Sequence, residues 1–198
     1  MTLPYQDNPI THVVAIACPS CGKEANFEFA EYVKVSLRKD IPYFQNSKFF
    51  EHRKVSNSDG QGVNLAFYFH KLHAHGFPAI DDLPEGYAVS DWAHYDHLYR
   101  SYKYDAGTVY CIPCGLRRKH QLVWPSEAYF QIDYKGHVLW AFNRRSAAEL
   151  KDFIQSKERG RSQYEYRSFL LKLPPQFLAK SARNTVVKRL SAKLAMRT

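Results

Sequence analysis

The sequence lacks any apolar run close to the roughly 18 residues that a membrane-spanning helix needs. Its first apolar run, at residues 13–17, follows a polar lead without basic residues, so we expect no signal peptide either. Both absences lead us to expect a soluble, cytoplasmic protein with no membrane partner. Hydrophobic residues make up 45% and aromatic residues 15% of the 198 residues, which excludes a disordered composition.

Familiar catalytic motifs are also missing. The sequence contains no Walker loop, no G-x-G-x-x-G, no G-x-S-x-G nucleophile elbow and no H-E-x-x-H pair. We therefore favour a non-catalytic protein.

One enzymatic alternative stays open, a metal-dependent nuclease built on histidines and aspartates in the middle of the chain. A chain with nine histidines will also carry some of them on its surface, and that is the simpler interpretation. The candidate ligands are His70, His73, His75, Asp81 and Asp82, followed by Asp91, His94 and His97 at intervals of three.

Cysteine is scarce, but all four cysteines fall into two copies of one motif. The first copy is CPSCG at residues 18–22, and the second is CIPCG at residues 111–115. Two thiolates three positions apart can turn toward one ion, and the following glycine permits the tight turn that this requires. Four sulfur ligands fill a tetrahedral shell and predict a structural Zn²⁺ site. The predicted ligands are Cys18, Cys21, Cys111 and Cys114.

Strand-like segments flank both motifs, so each motif is predicted at the tip of a β-hairpin. Residues 12–17 lead into the first motif, and after it Phe27 and Phe29 alternate with polar Asn26 and Glu28, as on a half-buried strand. Residues 108–110 lead into the second motif, and residues 121–124 leave it. This arrangement resembles the zinc-ribbon class of four-cysteine metal modules over about 18–30 residues around each motif. The resemblance implies a metal ion and a local fold, but no single activity. Eighty-nine residues separate Cys21 from Cys111, where compact ribbons use about 15–20, so we expect a large insertion between the hairpins.

Three other uses of the cysteines stay open at this point. A redox pair requires a βαβ setting that the sequence does not show. Disulfides are disfavoured in the cytosol. An iron–sulfur cluster also takes four cysteines, although the paired hairpins favour zinc.

Acidic residues are scarce in the second half of the chain. Residues 1–99 carry 8 Lys/Arg and 12 Asp/Glu, whereas residues 100–198 carry 20 Lys/Arg and 7 Asp/Glu. The two halves therefore have formal charges of −4 and +13. A basic half predicts an acidic partner, most often DNA or RNA, and we interpret the protein as a nucleic-acid-binding protein. The candidate contacts to phosphate are Arg117, Arg118, Lys119, Arg144, Arg145, Arg183, Lys188, Arg189 and Lys193.

A second interpretation is an adaptor or subunit of a protein complex, because an acidic protein can also bind a basic surface. A solvated cationic face without a partner is the plain alternative to both.

The predicted fold is α+β. It consists of zinc-ribbon-like hairpins over residues 1–142, an insertion at about 31–105 and a basic helical region at 143–198. We expect a hairpin at 129–142 and two C-terminal helices, the first with a capping box from Ser146 to Glu149 and the second capped by Ser181.

Overall fold

A computed structural model describes residues 11–56, 60–72, 82–88, 105–156, 158 and 163–196. The chain is an α+β protein with antiparallel sheets, as predicted. The described strands are β1 Val13–Ala17, β2 Glu24–Phe29, β3 Glu31–Lys34, β4 Phe50–Ser56, β5 Gly62–Tyr68, β6 Ala106–Tyr110, β7 Arg117–Gln121, β8 Gln131–Tyr134 and β9 His137–Trp140. The described α-helices are α1 Ile41–Asn46, α2 Arg144–Gln155, α3 Arg167–Leu171, α4 Pro175–Leu178 and α5 Lys180–Ala195.

The first sheet has the strand order β1-β2-β6-β7 and is antiparallel throughout. It places two hairpins side by side, one for each cysteine motif. Phe27 pairs with Val109 across the central β2–β6 junction. Both side chains are fully buried, so apolar packing fixes the register that brings the two hairpin tips together.

The second sheet belongs to the chain between the two motifs and has the order β3-β5-β4. Helix α1 packs against β4, and Phe44 of this helix is fully buried against Phe50 and Tyr68. No helix or strand was predicted for residues 38–56, where α1 and β4 lie. The domain boundaries proposed above remain a prediction.

The C-terminal region packs on the first sheet. Strands β8 and β9 form the predicted hairpin, and its turn places Lys135 at φ 54° and Gly136 at φ 77°, as a two-residue turn with positive φ at both positions requires. Trp140, Phe153, Phe169 and Leu190 join β1, β2 and β6 in one hydrophobic core. In the sequence, the short helices α3 and α4 lie between the long helices α2 and α5.

Three local predictions were wrong. Helix α2 begins at Arg144, and its capping box joins Asn143 to Ser146, so the N-cap lies three residues earlier than the serine cap expected from the sequence. Helix α5 begins at Lys180, so Ser181 lies inside the helix rather than capping it. The strand that leaves the second motif is Arg117–Gln121, whereas residues 121–124 were expected to form it.

Within the described ranges, no helix is long and apolar enough to cross a bilayer. Several predicted nuclease ligands, namely His73, His75, Asp81, Asp91, His94 and His97, lie outside the described residues.

Candidate metal centre

Each cysteine motif forms a tight turn at the tip of its hairpin. In the first motif the Cys18 N–H donates to the Lys23 carbonyl at 2.8 Å, and in the second the Cys111 N–H donates to the Leu116 carbonyl at the same distance. The glycines that end the motifs have φ values of 70° and 71°, a conformation that side chains with a Cβ rarely adopt. The repeated sequence therefore folds into a repeated turn.

The two turns bring the four sulfurs together. The Sγ atoms of Cys18 and Cys114 are 3.7 Å apart, and those of Cys21 and Cys111 are 3.6 Å apart. All four ligand atoms lie within 4.8 Å of one another, and this is the one such cluster found among the described residues. A tetrahedral ion with metal–sulfur bonds of about 2.3 Å separates its sulfurs by roughly 3.8 Å. The four cysteines thus form a cage of the size that one metal ion needs.

Each motif supplies one buried and one exposed thiol. Cys18 and Cys111 are buried at the ends of β1 and β6, while Cys21 and Cys114 face solvent. A disulfide requires sulfurs about 2.0 Å apart, so the sulfur separations correspond to free thiols and not to cystines.

The thiol pKa values show what a cation contributes here. Burial raises the pKa of Cys111 to about 12, and the neighbouring Cys114, Cys18 and Cys21 thiols add to this effect. Burial also acts on Cys18, but the backbone N–H groups of Cys21 and Ser20 outweigh it and lower the pKa to about 7. One thiol therefore ionises readily beside another that resists ionisation. A divalent cation at the centre of the cage would stabilise all four thiolates together.

Some of the predicted phosphate contacts bond within the chain. Arg117 donates to the Lys71 carbonyl, and Lys119 pairs with Glu51 at 2.6 Å. Both bonds join β7 to the chain between the two motifs. Arg144 pairs with Glu24 at 2.5 Å and donates to the Leu194 carbonyl, so it connects the first sheet to the end of α5. Arg145 is two-thirds exposed and pairs with Glu149 and Glu165.

The remaining predicted contacts lie on β7 and α5. Arg118 on β7 is exposed. On α5, Lys188 and Arg189 are exposed, while Arg183 and Lys193 are half-buried. Arg189 donates to the Asp133 carbonyl, and Lys193 lies 4.8 Å from the centre of the Tyr129 ring.

The structure gives the described members of the nuclease hypothesis different partners. His70 contacts Glu28 at 3.1 Å, whereas Asp82 accepts a hydrogen bond from the Tyr43 hydroxyl. Neither belongs to a metal-sized cluster among the described residues.

A buried carboxylate, Glu28, with three basic neighbours was not predicted from the sequence. Alternation along β2 predicted that Glu28 faces solvent, but it is buried beside His12, His70 and Lys71. Burial raises its pKa, yet these three neighbours outweigh that effect and keep the pKa below its usual range. The signal could not be found in β2 itself, because the covering residues come from other parts of the chain: His12 precedes β1, and His70 and Lys71 follow β5.

Comparisons with protein-family models, with curated proteins and with solved structures each gave no match. The functional conclusions below therefore rest on the site and the surface of this chain.

Proposed function

We propose that the protein is a zinc-stabilised, non-catalytic nucleic-acid-binding protein. The cage of four sulfurs at tetrahedral separations supports the metal part of this proposal. Four protein ligands leave no open coordination position for a substrate, so the ion would stabilise the fold rather than catalyse a reaction.

Zinc fits this cage better than an iron–sulfur cluster does. A cluster contains several irons with bridging sulfides, and sulfurs that all lie within 4.8 Å leave room for one ion only. Metal analysis of the purified protein is expected to give one zinc per chain and no visible absorption. A coloured protein with iron, or a protein free of metal, contradicts this part of the proposal.

The charge distribution supports nucleic acid as the partner. Helix α5 contains five Lys/Arg and no acidic residue, and it lies in the half of the chain with a formal charge of +13. Cations on a folded surface release counterions when they meet phosphates, which favours binding at low salt. The exposed candidates Arg118, Lys188 and Arg189 therefore carry the proposal, together with Arg145 after it leaves its surface ion pairs.

A salt titration tests the nucleic-acid proposal. Retention of labelled DNA or RNA in a filter or mobility assay is expected at about 50 mM salt, with affinity falling steeply toward 200 mM. Charge reversal at the two proposed phosphate contacts Arg118 and Arg189 is expected to reduce the slope of log affinity against log salt by an amount that corresponds to about two phosphate contacts. If neither DNA nor RNA is retained at about 50 mM salt, the nucleic-acid proposal is lost.

One observation favours the second candidate, a subunit of a protein complex. Ile112, at the tip of the second motif, is 86% exposed and borders a groove of about 420 Å³ that Lys23, Asn26 and Pro113 also line. An apolar side chain fixed in solvent is a typical anchor for a protein partner. A complex that survives high salt and is lost in Ile112→Asp supports this candidate over the first.

A further inference from the structure

One face of helix α5 combines small polar side chains with cations. Asn184, Lys188 and Ala192 follow one another at intervals of four, and Thr185 and Arg189 lie beside them. All five residues are exposed and line a shallow hollow of about 480 Å³. Residues at these intervals share one side of a helix. This side, defined by the five residues, is the polar face of α5.

The opposite side of the helix is docked on the protein. Ala182, Val186 and Leu190 are fully buried in the main core, and α5 packs against α2, α4 and β8. The helix therefore presents its polar face from a fixed position. It has no free apolar stripe to insert into a lipid surface, which distinguishes it from a membrane-binding amphipathic helix.

The charge of the polar face suits a polyanion. Helix α5 has no acidic residue along its 16 residues, and half-buried Lys193, one turn after Arg189, adds a cation at the edge of the face. Asp133, an acidic residue in contact with the helix, accepts from Arg189 through its backbone carbonyl and from the Gly136 N–H of the hairpin turn through its carboxylate.

We propose that α5 is a recognition helix that enters the major groove of duplex DNA. This inference rests on the proposed function and names the nucleic acid. Asn184 is suited to pair with the N6 and N7 atoms of adenine, and Lys188 with the O6 and N7 acceptors of guanine. The Thr185 methyl group can contact a thymine methyl, while Ala192 lets the helix backbone approach the base edges.

The dimensions of the polar face favour DNA over duplex RNA. The major groove of B-form DNA is about 12 Å wide and admits an α-helix, whereas that of A-form RNA is deep and narrow. Residues 184–192 rise about 12 Å along the helix, which corresponds to roughly 3–4 base pairs. Arg189 and the neighbouring Lys193 are placed to contact the phosphates along the groove.

Selection from a pool of random 20-base-pair DNA duplexes tests the proposal, using the full chain with its metal. We expect an enriched site of about 3–4 base pairs, bound at least tenfold more tightly than the same sequence as duplex RNA or single-stranded DNA. Asn184→Ala is expected to weaken binding to the enriched site roughly 5- to 150-fold and binding to a scrambled duplex hardly at all.

Two exposed positions provide matched controls. Lys172→Ala removes the same charge as Lys188→Ala but lies before α4, and only the second variant is expected to relax the preference for the enriched site. Asn46→Ala removes an exposed amide, as Asn184→Ala does, but it lies in α1 and is expected to bind like the parent protein. Circular dichroism and metal content verify that each variant is folded.

The outcomes separate this inference from the proposed function. Failure to bind any nucleic acid overturns both. Binding without an enriched site, or equal binding of duplex RNA or single strands, overturns the recognition helix alone. The same holds if Asn184→Ala binds the enriched site as tightly as the parent, or if sedimentation with phosphatidylserine vesicles shows α5-dependent lipid binding.

Discussion

At the scale of single residues, Gly107 shows how closely the central strands of the first sheet approach each other. A Cβ at this position would lie 2.2 Å from the Glu28 carbonyl oxygen and 2.4 Å from the Phe27 ring. Because a backbone atom and a buried ring cannot move aside easily, we expect Gly107→Ala to lower the free energy of unfolding by about 1–3 kcal/mol.

Gly62→Ala is the matched control for this variant. A Cβ there meets only the end of the flexible Lys54 side chain, at 2.5 Å, so we expect a change within about 0.5 kcal/mol. Urea denaturation of both variants measures the difference. Equal stability of Gly107→Ala and Gly62→Ala would show that β2 and β6 lie farther apart than described.

Glu28 gives a prediction about pH. Its pKa in the folded protein lies below the usual 4.5, because His12, Lys71 and His70 outweigh the effect of burial. A lowered pKa contributes stability above pH 4.5, and this contribution is lost as the pH falls through the folded value. We expect Glu28→Gln to cost about 1–3 kcal/mol at pH 6, and the difference from the parent to shrink below pH 4.5.

Chemical denaturation from pH 6 to pH 3.5 measures this difference. Loss of metal in acid affects the parent and the variant alike, so the comparison isolates Glu28. Asp152→Asn, which removes an exposed carboxylate beside Lys151, is the control for the loss of a surface charge and is expected to change stability by no more than about 0.5 kcal/mol. A difference that stays constant or grows in acid would contradict the lowered pKa.

At the scale of secondary structure, the start of α2 depends on Asn143. Its side chain accepts from the Ser146 N–H at 2.9 Å, and the Ser146 hydroxyl accepts from the Asn143 N–H at 2.9 Å. The Asn143 side chain also donates to the Tyr166 hydroxyl. Asn143→Ala is therefore expected to destabilise the protein by about 1–2 kcal/mol.

Ser181→Ala separates a capping serine from one inside a helix. Since Ser181 is exposed within α5, its replacement is expected to change stability by no more than a few tenths of a kcal/mol, in the favourable direction. Thermal unfolding of the two variants provides the measurement. If Ser181→Ala lost more stability than Asn143→Ala, the serine caps expected from the sequence would be correct and the caps described here would be wrong.

The C-terminal hairpin, the cap of α2 and strand β4 show which elements can be predicted from the sequence and which cannot. The hairpin at 131–140 was predicted because Lys135-Gly136 is a turn signal between alternating strands. The cap of α2 was misplaced because Ser146 and Glu149 fit the usual capping pattern, while Asn143 lies three residues earlier. Strand β4 was missed because its polar residues do not alternate regularly with apolar ones.

At the scale of the whole molecule, the cysteine cluster was predictable although its members are ninety residues apart. The two motifs repeat one local turn, and two such turns with two thiols each predict that all four thiols bind the same metal ion. The burial of Glu28 and the bonds of Arg117 and Lys119 were not predictable, since they depend on how the second sheet packs against the first. Local sequence carries no information about such long-range contacts.

The four-cysteine cage joins the tips of the two hairpins of the first sheet, and this gives the last prediction. Cys114→Ser removes one thiol at an exposed position, so a loss of stability reports the proposed metal rather than a cavity in the core. Because a structural zinc ion in the cage would contribute directly to folding, we expect a Tm at least about 10 °C lower and loss of that ion. A strong chelator is expected to lower the Tm of the parent protein similarly. Ile112→Ala, in the same turn but without a ligand atom, is expected to keep both metal and Tm.

Amide hydrogen exchange distinguishes this effect from general unfolding. Without the ion, exchange is expected to rise first in β1, β2, β6 and β7, whose hairpin tips the cage joins, and later in the β3-β5-β4 sheet, which has its own apolar cluster around Phe44 and Tyr68. If chelation leaves the Tm and the exchange of the first sheet unchanged, the four thiols do not bind a structural ion. The first sheet would then depend on its apolar core alone.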